Sequence, residues 1–227
     1  MKVKTVIASA FAFAAIAIPA AAMADTTYDT TYAWGGGAIS AWGGGATSTY
    51  GETFYAPADN EVLKDVTFYV SGAQGSSVNY YAQVYAWSGS LFGGSGNGMA
   101  IGAPVYSTAL TNYTASGGWD AITFNPNAAV TPGMAYVALL TVPYVDGSTA
   151  FSFGANLYTH NAGDGGGGFN FYNNNGDITA LNTSVWDNFA DFGDLAYTAH
   201  FQSVPEPAQY AVLGLGVLGL LVRRRKA

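Results

Sequence analysis

Hydrophobic and polar side chains alternate in the middle of the chain with a period of two residues. Val66, Phe68 and Val70 alternate with more polar neighbours, and the alternation returns from residue 78 to residue 87. This period is typical of a β-strand that packs one face against a core. The same pattern predicts further strands, separated by clusters of Gly, Asn, Asp and Pro, at residues 48–55, 105–110, 119–124, 134–142, 150–154, 168–172 and 195–201.

These predicted strands indicate the fold class. Short strands with turn residues between them, and no capped helical pattern in competition, favour an all-β protein. An antiparallel protein of this kind must bury the faces of its sheets against each other and protect its edges. The sequence therefore predicts a jelly-roll-like antiparallel β-sandwich. The order of the strands along the chain leaves their pairing open.

A segment rich in glycine and tryptophan precedes the strands. The hexapeptide Ala-Trp-Gly-Gly-Gly-Ala at residues 33–38 recurs at residues 41–46, but a solenoid needs about three or more repeats. The glycines predict a flexible segment over residues 25–46, unless Trp34 and Trp42 pack on the domain. The β-sandwich domain is predicted over residues 47–203.

The first 24 residues have the pattern of a signal peptide. Lys2 and Lys4 form a basic region, residues 6–18 are apolar, and Ala22 and Ala24 provide a small-x-small cleavage site. The apolar stretch is shorter than the roughly 20 residues that a membrane-spanning helix needs. We therefore expect the export machinery to translocate the chain and cleavage to follow Ala24.

Three features follow one another at the C-terminus: a Pro-Glu-Pro triplet, an apolar run and a basic cluster. They are Pro205, Glu206 and Pro207, residues 208–222, and Arg223, Arg224 and Arg225 with Lys226. Together they resemble the PEP-CTERM sorting signal, which exosortases of Gram-negative bacteria process. The resemblance implies that residues 204–227 are a sorting tail with a short transmembrane helix.

The composition of the tail also predicts how it meets the membrane. Terminal cations favour a cytoplasmic end under the positive-inside rule, and the apolar run is short for a membrane span. We therefore expect transient anchoring in the inner membrane before an exosortase-type enzyme processes the tail. The resemblance implies a final location in the cell envelope or extracellular matrix of a Gram-negative bacterium.

Charge excludes one class of partner. Of the 14 acidic residues, 13 lie between residue 24 and Pro205, and Lys64 is the sole Lys or Arg from Asp25 to Val222, so the processed body carries a formal charge of −12. Nucleic acid is not expected as a partner, because phosphate binding depends on clustered Lys and Arg. Cysteine is absent, so no disulfide stabilises the fold.

The body also resembles the exported choice-of-anchor type of β-sandwich domain. The resemblance rests on residues 54–60, Val84-Tyr85-Ala86-Trp87, Gly118-Trp119 and residues 195–201. It implies a surface module of uncharacterised activity, and it supplies no catalytic residues.

Three carboxylates near the last strand form a candidate calcium site. Asp187, Asp191 and Asp194 lie within eight residues of each other, and hard oxygen ligands suit Ca²⁺. The alternative is a solvated acidic loop, because the spacing does not match a known calcium-binding loop.

One face of a predicted strand forms a candidate glycan-binding surface. Its members are Asn79, Tyr81, Gln83, Tyr85 and Trp87, in which aromatic rings alternate with amides. Rings can stack on the apolar faces of sugars while amides hydrogen-bond hydroxyl groups. The alternative is that the glycine-rich segment covers this face, or that it is simply the larger half of the core.

Catalytic residues are not expected. His160 and His200 are the two histidines, and neither has a recognisable nucleophile or metal-ligand spacing beside it. The sequence thus favours a non-enzymatic, exported protein of the envelope or matrix that contacts exopolysaccharide, with Ca²⁺ as a candidate ligand. The alternative is an extracellular polysaccharide-active hydrolase, which would need two carboxylates converging in one groove.

Overall fold

The structure, a computed structural model, describes residues 24–43, 47–60, 62–91, 98–143, 150–156, 165–187 and 193–203. The described residues all belong to one compact unit of the chain, Ala24–Val204. Their buried hydrophobic side chains extend from Trp42 to Phe201. This unit, the body, therefore contains a core of its own.

The described part of the body consists of strands and two single-turn 3-10 helices, Thr31–Ala33 and Ile178–Ala180. No helix of the described residues is long and apolar enough to cross a membrane. The strands are β1 (Thr26–Asp29), β2 (Ala38–Trp42), β3 (Thr49–Tyr55), β4 (Val62–Ser71), β5 (Ser77–Gly89), β6 (Gly98–Ser107), β7 (Thr111–Thr114), β8 (Trp119–Phe124), β9 (Ala128–Ala129), β10 (Ala135–Thr141), β11 (Phe151–Asn156), β12 (Phe169–Tyr172), β13 (Asp194–Leu195) and β14 (Tyr197–Gln202).

The strands form two sheets in which the pairings between named strands are antiparallel. The eight-stranded sheet has the order β1-β14-β4-β11-β13, with β2 beside β11 and with β8 and β9 beside β4. The six-stranded sheet has the order β12-β3-β10-β5-β6, with β7 beside β5. From β3 to β5, and again from β9 to β13, successive strands alternate between the sheets, so the chain crosses the core repeatedly. The prediction of an antiparallel β-sandwich is confirmed.

Aromatic rings fill the space between the two sheets. Phe153 of the eight-stranded sheet lies 5.1 Å from Tyr50 of the six-stranded sheet, measured between ring centroids. Phe54 and Phe201 meet across the core in the same way, at 5.6 Å. Both contacts are edge-to-face, the arrangement that aromatic quadrupoles favour. The core therefore fixes the position of each strand through its inner side chains. This also fixes where the outward side chains of the strand lie.

The glycine-rich segment is part of the sandwich. Strand β1 pairs with β14 and strand β2 pairs with β11. Trp42 is wholly buried, and its indole N–H donates to the carbonyl oxygen of Ser48 at 3.1 Å. Of the two alternatives that the sequence left open for this segment, packing of its tryptophans on the domain is the one observed. The strands of the sandwich begin at Thr26, ahead of the predicted boundary at residue 47.

Candidate functional site

The aromatic members of the candidate glycan-binding surface on β5 are covered. Tyr85 and Trp87 are only 4% and 3% exposed. They belong to a second hydrophobic cluster that includes Leu181 and Trp186. Trp87 and Trp186 meet edge-to-face at 5.4 Å between centroids, and the indole N–H of Trp186 donates to the carbonyl oxygen of Leu181. The segment that follows the second 3-10 helix therefore forms a lid over this face of the six-stranded sheet.

The polar members of the same surface are divided between environments. Gln83 is buried, and its side-chain N–H donates to the hydroxyl oxygen of Ser107 at 3.0 Å. Tyr81 is half-buried, whereas Asn79 is exposed and accepts a hydrogen bond from Asn112. These five residues therefore do not present one open aromatic platform. Of the two alternatives from the sequence, cover by the glycine-rich segment or membership of the core, the second is nearer to what is observed, because Tyr85 and Trp87 are buried in a cluster with Leu181 and Trp186.

The candidate calcium ligands lie in different environments where they are described. Asp187 is exposed, and its backbone pairs with Phe171. Asp194 is wholly buried on β13, opposite Asn156. Asp191 lies outside the described residues, and the described part of the chain holds no group of three or more His, Cys, Asp or Glu side chains arranged for a metal. The calcium site stays a prediction.

Two of the remaining predicted residues, Ala24 and His200, lie at the surface. His200 lies on the outer side of β14, where its Nδ1 is 2.5 Å from Asp65 Oδ1 and its side chain is 49% exposed. Ala24 is exposed, and its carbonyl oxygen accepts a hydrogen bond from Asn60. His160, Ala22 and the predicted sorting residues from Pro205 to Arg225 lie outside the described residues.

The outward side of the eight-stranded sheet carries a row of polar side chains. The register aligns Asp29 of β1 with Thr198 of β14, Thr198 with Thr67 of β4, and Thr67 with Thr123 of β8. The hydroxyl groups of Thr67 and Thr123 are hydrogen-bonded at 2.8 Å. Because alternate residues of each strand face the core, this row lies on the opposite, solvent side of the sheet. We call this side the outer face.

Three aromatic rings lie at one end of the outer face. Trp34, Tyr69 and Trp119 form this aromatic trio, in which the Trp34 ring centroid is 5.3 Å from that of Tyr69 and 4.8 Å from that of Trp119. Trp119 is 37% exposed, and the other two rings are half-buried. The trio therefore offers apolar ring surface to solvent next to the threonine hydroxyl groups.

Trp34 is held in place by its neighbours. Its indole N–H donates to the carbonyl oxygen of Gly37 at 2.7 Å. Its ring packs so closely on Gly154 of β11 that a Cβ at this glycine would lie 2.5 Å from the ring. The preceding 3-10 turn is fixed by Asp29, which accepts hydrogen bonds from the backbone N–H and the hydroxyl of Thr31. The trio is thus preorganised, which lowers the entropy lost on binding a ligand.

Trp119 is positioned by a hydrogen-bonded carboxylate next to it. Asp120 accepts hydrogen bonds from the Ser116 backbone N–H at 2.9 Å and from the Tyr113 hydroxyl at 2.8 Å. The Ser116 N–H in particular holds the pKa of Asp120 below its usual range. Burial, and then the bond to this carboxylate, raises the pKa of Tyr113. Asp120 therefore stays a carboxylate and Tyr113 keeps its hydroxyl proton, as their hydrogen bond requires. These hydrogen bonds fix the loop before β8.

The arrangement suits recognition of sugars rather than bond making. Rings stack on the C–H faces of sugars, and hydroxyl groups hydrogen-bond sugar hydroxyls as donors and acceptors. Reasoning from the sequence missed this site because its three rings come from three distant segments of the chain. The alternation that places Val66, Phe68 and Val70 in the core was the available signal, since it turns Thr67 and Tyr69 outward.

Comparison with known proteins identifies the C-terminal tail. Residues 203–226 match the family model of the PEP-CTERM protein-sorting motif, and the prediction of this motif is confirmed. The motif implies export, processing by an exosortase and membrane-associated sorting in a Gram-negative bacterium. No curated protein and no solved structure matches the chain.

The sorting motif leads to a prediction for the mature ends. We expect the mature protein to begin near Asp25 and to end near Pro205, because β1 begins at Thr26 and β14 ends at Gln202, so both cleavages leave the sandwich intact. Mass spectrometry of the envelope and secreted fractions measures both ends. A mature surface protein that keeps residues 223–227 would contradict tail cleavage, and an unprocessed N-terminus in the cytoplasm would contradict export.

Proposed function

We propose that this exported, exosortase-sorted protein is a non-enzymatic component of the cell envelope or extracellular matrix, and that it contacts polysaccharide through its outer face. The observation that carries the proposal is the aromatic trio. The Trp34 ring lies 5.3 Å from that of Tyr69 and 4.8 Å from that of Trp119, beside a row of threonine hydroxyls on the sheet. Aromatic rings with adjacent hydroxyl groups match the alternating apolar and polar surfaces of a sugar chain.

The position of the trio on the sheet supports this role. Ser71 at one end of β4 pairs with Trp119, and Val62 at the other end pairs with Gln202. Strand β4 has 10 residues. At a rise of about 3.3 Å per residue it spans about 30 Å. Pro205, the first residue of the Pro-Glu-Pro triplet, follows Gln202 by three residues. Trp119 of the trio and Gln202, the last residue of β14, therefore lie at opposite ends of β4.

The proposal is tested by binding of the body, residues 25–203, to the extracellular polysaccharide of the producing bacterium. Two variants remove the exposed rings: Trp119→Ala alone, and Trp34→Ala combined with Trp119→Ala. Because each aromatic contact contributes about 0.5–1.5 kcal/mol, the double variant should bind about tenfold more weakly. Trp119→Ala keeps the test valid if loss of Trp34 disturbs the fold.

Tyr32→Ala is the matched control for this experiment. Tyr32 belongs to the same segment as Trp34, is 69% exposed and has no place in the trio. We expect its binding to equal that of the unaltered body. Equal losses for Tyr32→Ala and Trp119→Ala, or no binding by the unaltered body, would refute the proposed role of the outer face.

Two of the described carboxylates, Glu52 and Asp194, lie where a polymer does not reach them. Glu52 and Asp194 are wholly buried. Glu52 Oε2 accepts a hydrogen bond from the backbone N–H of Leu195, the residue after Asp194, at 2.8 Å. Glycoside hydrolysis needs two carboxylates that flank the scissile bond, and wholly buried groups do not reach a polymer. Release of reducing ends from the bound polysaccharide, lost on replacement of an acidic residue, would instead favour the hydrolase alternative.

A further inference from the structure

We infer that the outer face selects a polysaccharide that carries protonated amino groups, a conclusion that rests on the proposed function and names the ligand class. Two independent observations support this inference. One is the charge of the whole body, and the other is the presence of indole rings at the binding surface. An amino sugar satisfies both, because its ring stacks on aromatic side chains and its ammonium group is attracted by carboxylates and by indole faces.

The charge of the body favours a cationic polymer over an anionic one. The processed chain has a formal charge of −12, with Lys64 as its sole Lys or Arg. A field of one sign raises the local concentration of oppositely charged ligands and repels ligands of the same sign. A polymer of uronic acids would therefore have to approach against this field. A neutral polymer would gain nothing from it, whereas an amine-bearing polymer would be attracted.

The outer face contributes local acceptors for ammonium groups. Asp29 and Asp65 both lie on it, the first in the threonine row and the second beside His200. Lys64 occupies the bulge of β4 next to Asp65, where the register with β14 shifts. The threonine hydroxyls accept hydrogen bonds from N–H groups as readily as from O–H groups.

The indole rings add a second attraction for cations. An ammonium group within about 6 Å of an aromatic ring centroid is attracted by the ring quadrupole, most strongly by that of tryptophan. Trp34 and Trp119 supply two indoles at one place on the surface. The same rings can stack on the sugar to which the ammonium is attached, so charge and shape are recognised together.

The inference is tested with soluble oligosaccharides that share one backbone and differ in charge. Glucosamine oligomers carry amines, their N-acetylated counterparts are neutral, and N-succinylated counterparts are anionic. All are measured by titration calorimetry against the body, at a pH where the amines are protonated and at about 0.02 M ionic strength. We expect the amine form to bind about tenfold more tightly than the neutral form and the anionic form to bind more weakly still. At 0.5 M salt the difference should shrink, because screening shortens the reach of the field.

Two pairs of variants separate specific recognition from general charge attraction. Trp119→Ala should weaken binding of the amine form, whereas Tyr32→Ala should leave it unchanged. Asp65→Asn and Asp177→Asn each remove one negative charge. Asp177 does not lie on the outer face; it caps the second 3-10 helix, where its side chain accepts a hydrogen bond from the Thr179 N–H. Asp65→Asn should therefore reduce the affinity for the amine form more than Asp177→Asn does.

Each outcome has a distinct meaning. Equal binding of the amine and neutral forms at low salt would overturn the inference about charge and leave the proposed function standing. Binding of the amine form that is insensitive to Trp119→Ala, or equally sensitive to Asp65→Asn and Asp177→Asn, would show attraction by the body as a whole and would overturn the inference. Failure of all three forms to bind, together with failure of the producer's own polysaccharide, would overturn the proposed function itself.

Discussion

Replacement of Trp42 by alanine is expected to lower the free energy of unfolding of the body by about 3–5 kcal/mol. Trp42 is wholly buried, and its ring lies 5.1 Å from that of Phe153 and 6.1 Å from those of Tyr80 and Phe151. The substitution removes these contacts, leaves a cavity and abolishes the hydrogen bond to the Ser48 carbonyl oxygen. Urea denaturation followed by far-UV circular dichroism measures the change.

Tyr32→Ala provides the control in the same segment. Tyr32 is 69% exposed, and an exposed substitution away from special features usually changes stability by less than about 0.5 kcal/mol. A small and equal effect of both substitutions would mean that the glycine-rich segment does not contribute to the core. A large effect of Trp42→Ala alone would establish that this segment completes the sandwich.

The structure of the glycine-rich segment could not be predicted from its local sequence alone. Its glycines indicate flexibility, because glycine loses the most conformational freedom on folding. The tertiary structure offsets this cost with Trp42, which fills the core, and Trp34, which packs on Gly154 at the surface. The residues on which these two rings pack lie far away in the sequence. The sequence therefore predicted two alternatives, a flexible segment or one whose tryptophans pack on the domain.

Strands with one buried face could be predicted from their alternation. Strand β8 occupies the predicted residues 119–124, and β12 and β10 differ from their predictions by a residue at one or both ends. Strand β6 begins at Gly98, ahead of the predicted start at residue 105, and β2 lies in the segment that was predicted to be flexible. Strands β1, β7 and β9 were also not predicted; they are only two to four residues long and pair at the margins of longer strands. In such short strands the backbone pairing, rather than a pattern of side chains, defines the structure.

The candidate glycan-binding surface on β5 illustrates a different limit. Alternation correctly divides β5 into two faces, but it does not say which face a distant part of the chain will cover. Trp186 covers Trp87 from a position about a hundred residues later in the sequence. On the outer face of the other sheet, Trp119, Thr123 and His200 are exposed among the described residues, and the trio draws one ring from each of three segments. Sequence alternation predicts the outward direction of Tyr69, but only the sheet register, which pairs Trp119 with Ser71, brings Trp119 to the same end of the face.

Among the described glycines, Gly167 is the one at which an added Cβ would come closest to other backbone atoms. A Cβ at this glycine would overlap the backbone carbonyl oxygen of Thr53 on β3, and it would also lie 3.0 Å from the backbone nitrogen of Phe54. Backbone atoms cannot rotate away as a flexible side chain can. Retreat of the strand would break the bond from the Thr53 N–H to the Gly168 carbonyl oxygen at 3.1 Å and the bond from the Gly168 N–H to the Thr53 hydroxyl at 3.1 Å.

Gly167→Ala is therefore expected to destabilise the body by more than about 4 kcal/mol, in the exceptional range for a single substitution. Overlap with a fixed backbone and the loss of buried hydrogen bonds act together, so β12 should separate from β3. Thermal denaturation and the yield of exported protein measure the effect. Gly35→Ala is the control, because a Cβ there would have nothing within 4 Å, and its stability should match that of the unaltered body. Similar melting temperatures for the two variants would contradict the close approach of β12 to β3, whereas loss of folding in Gly167→Ala alone would establish it.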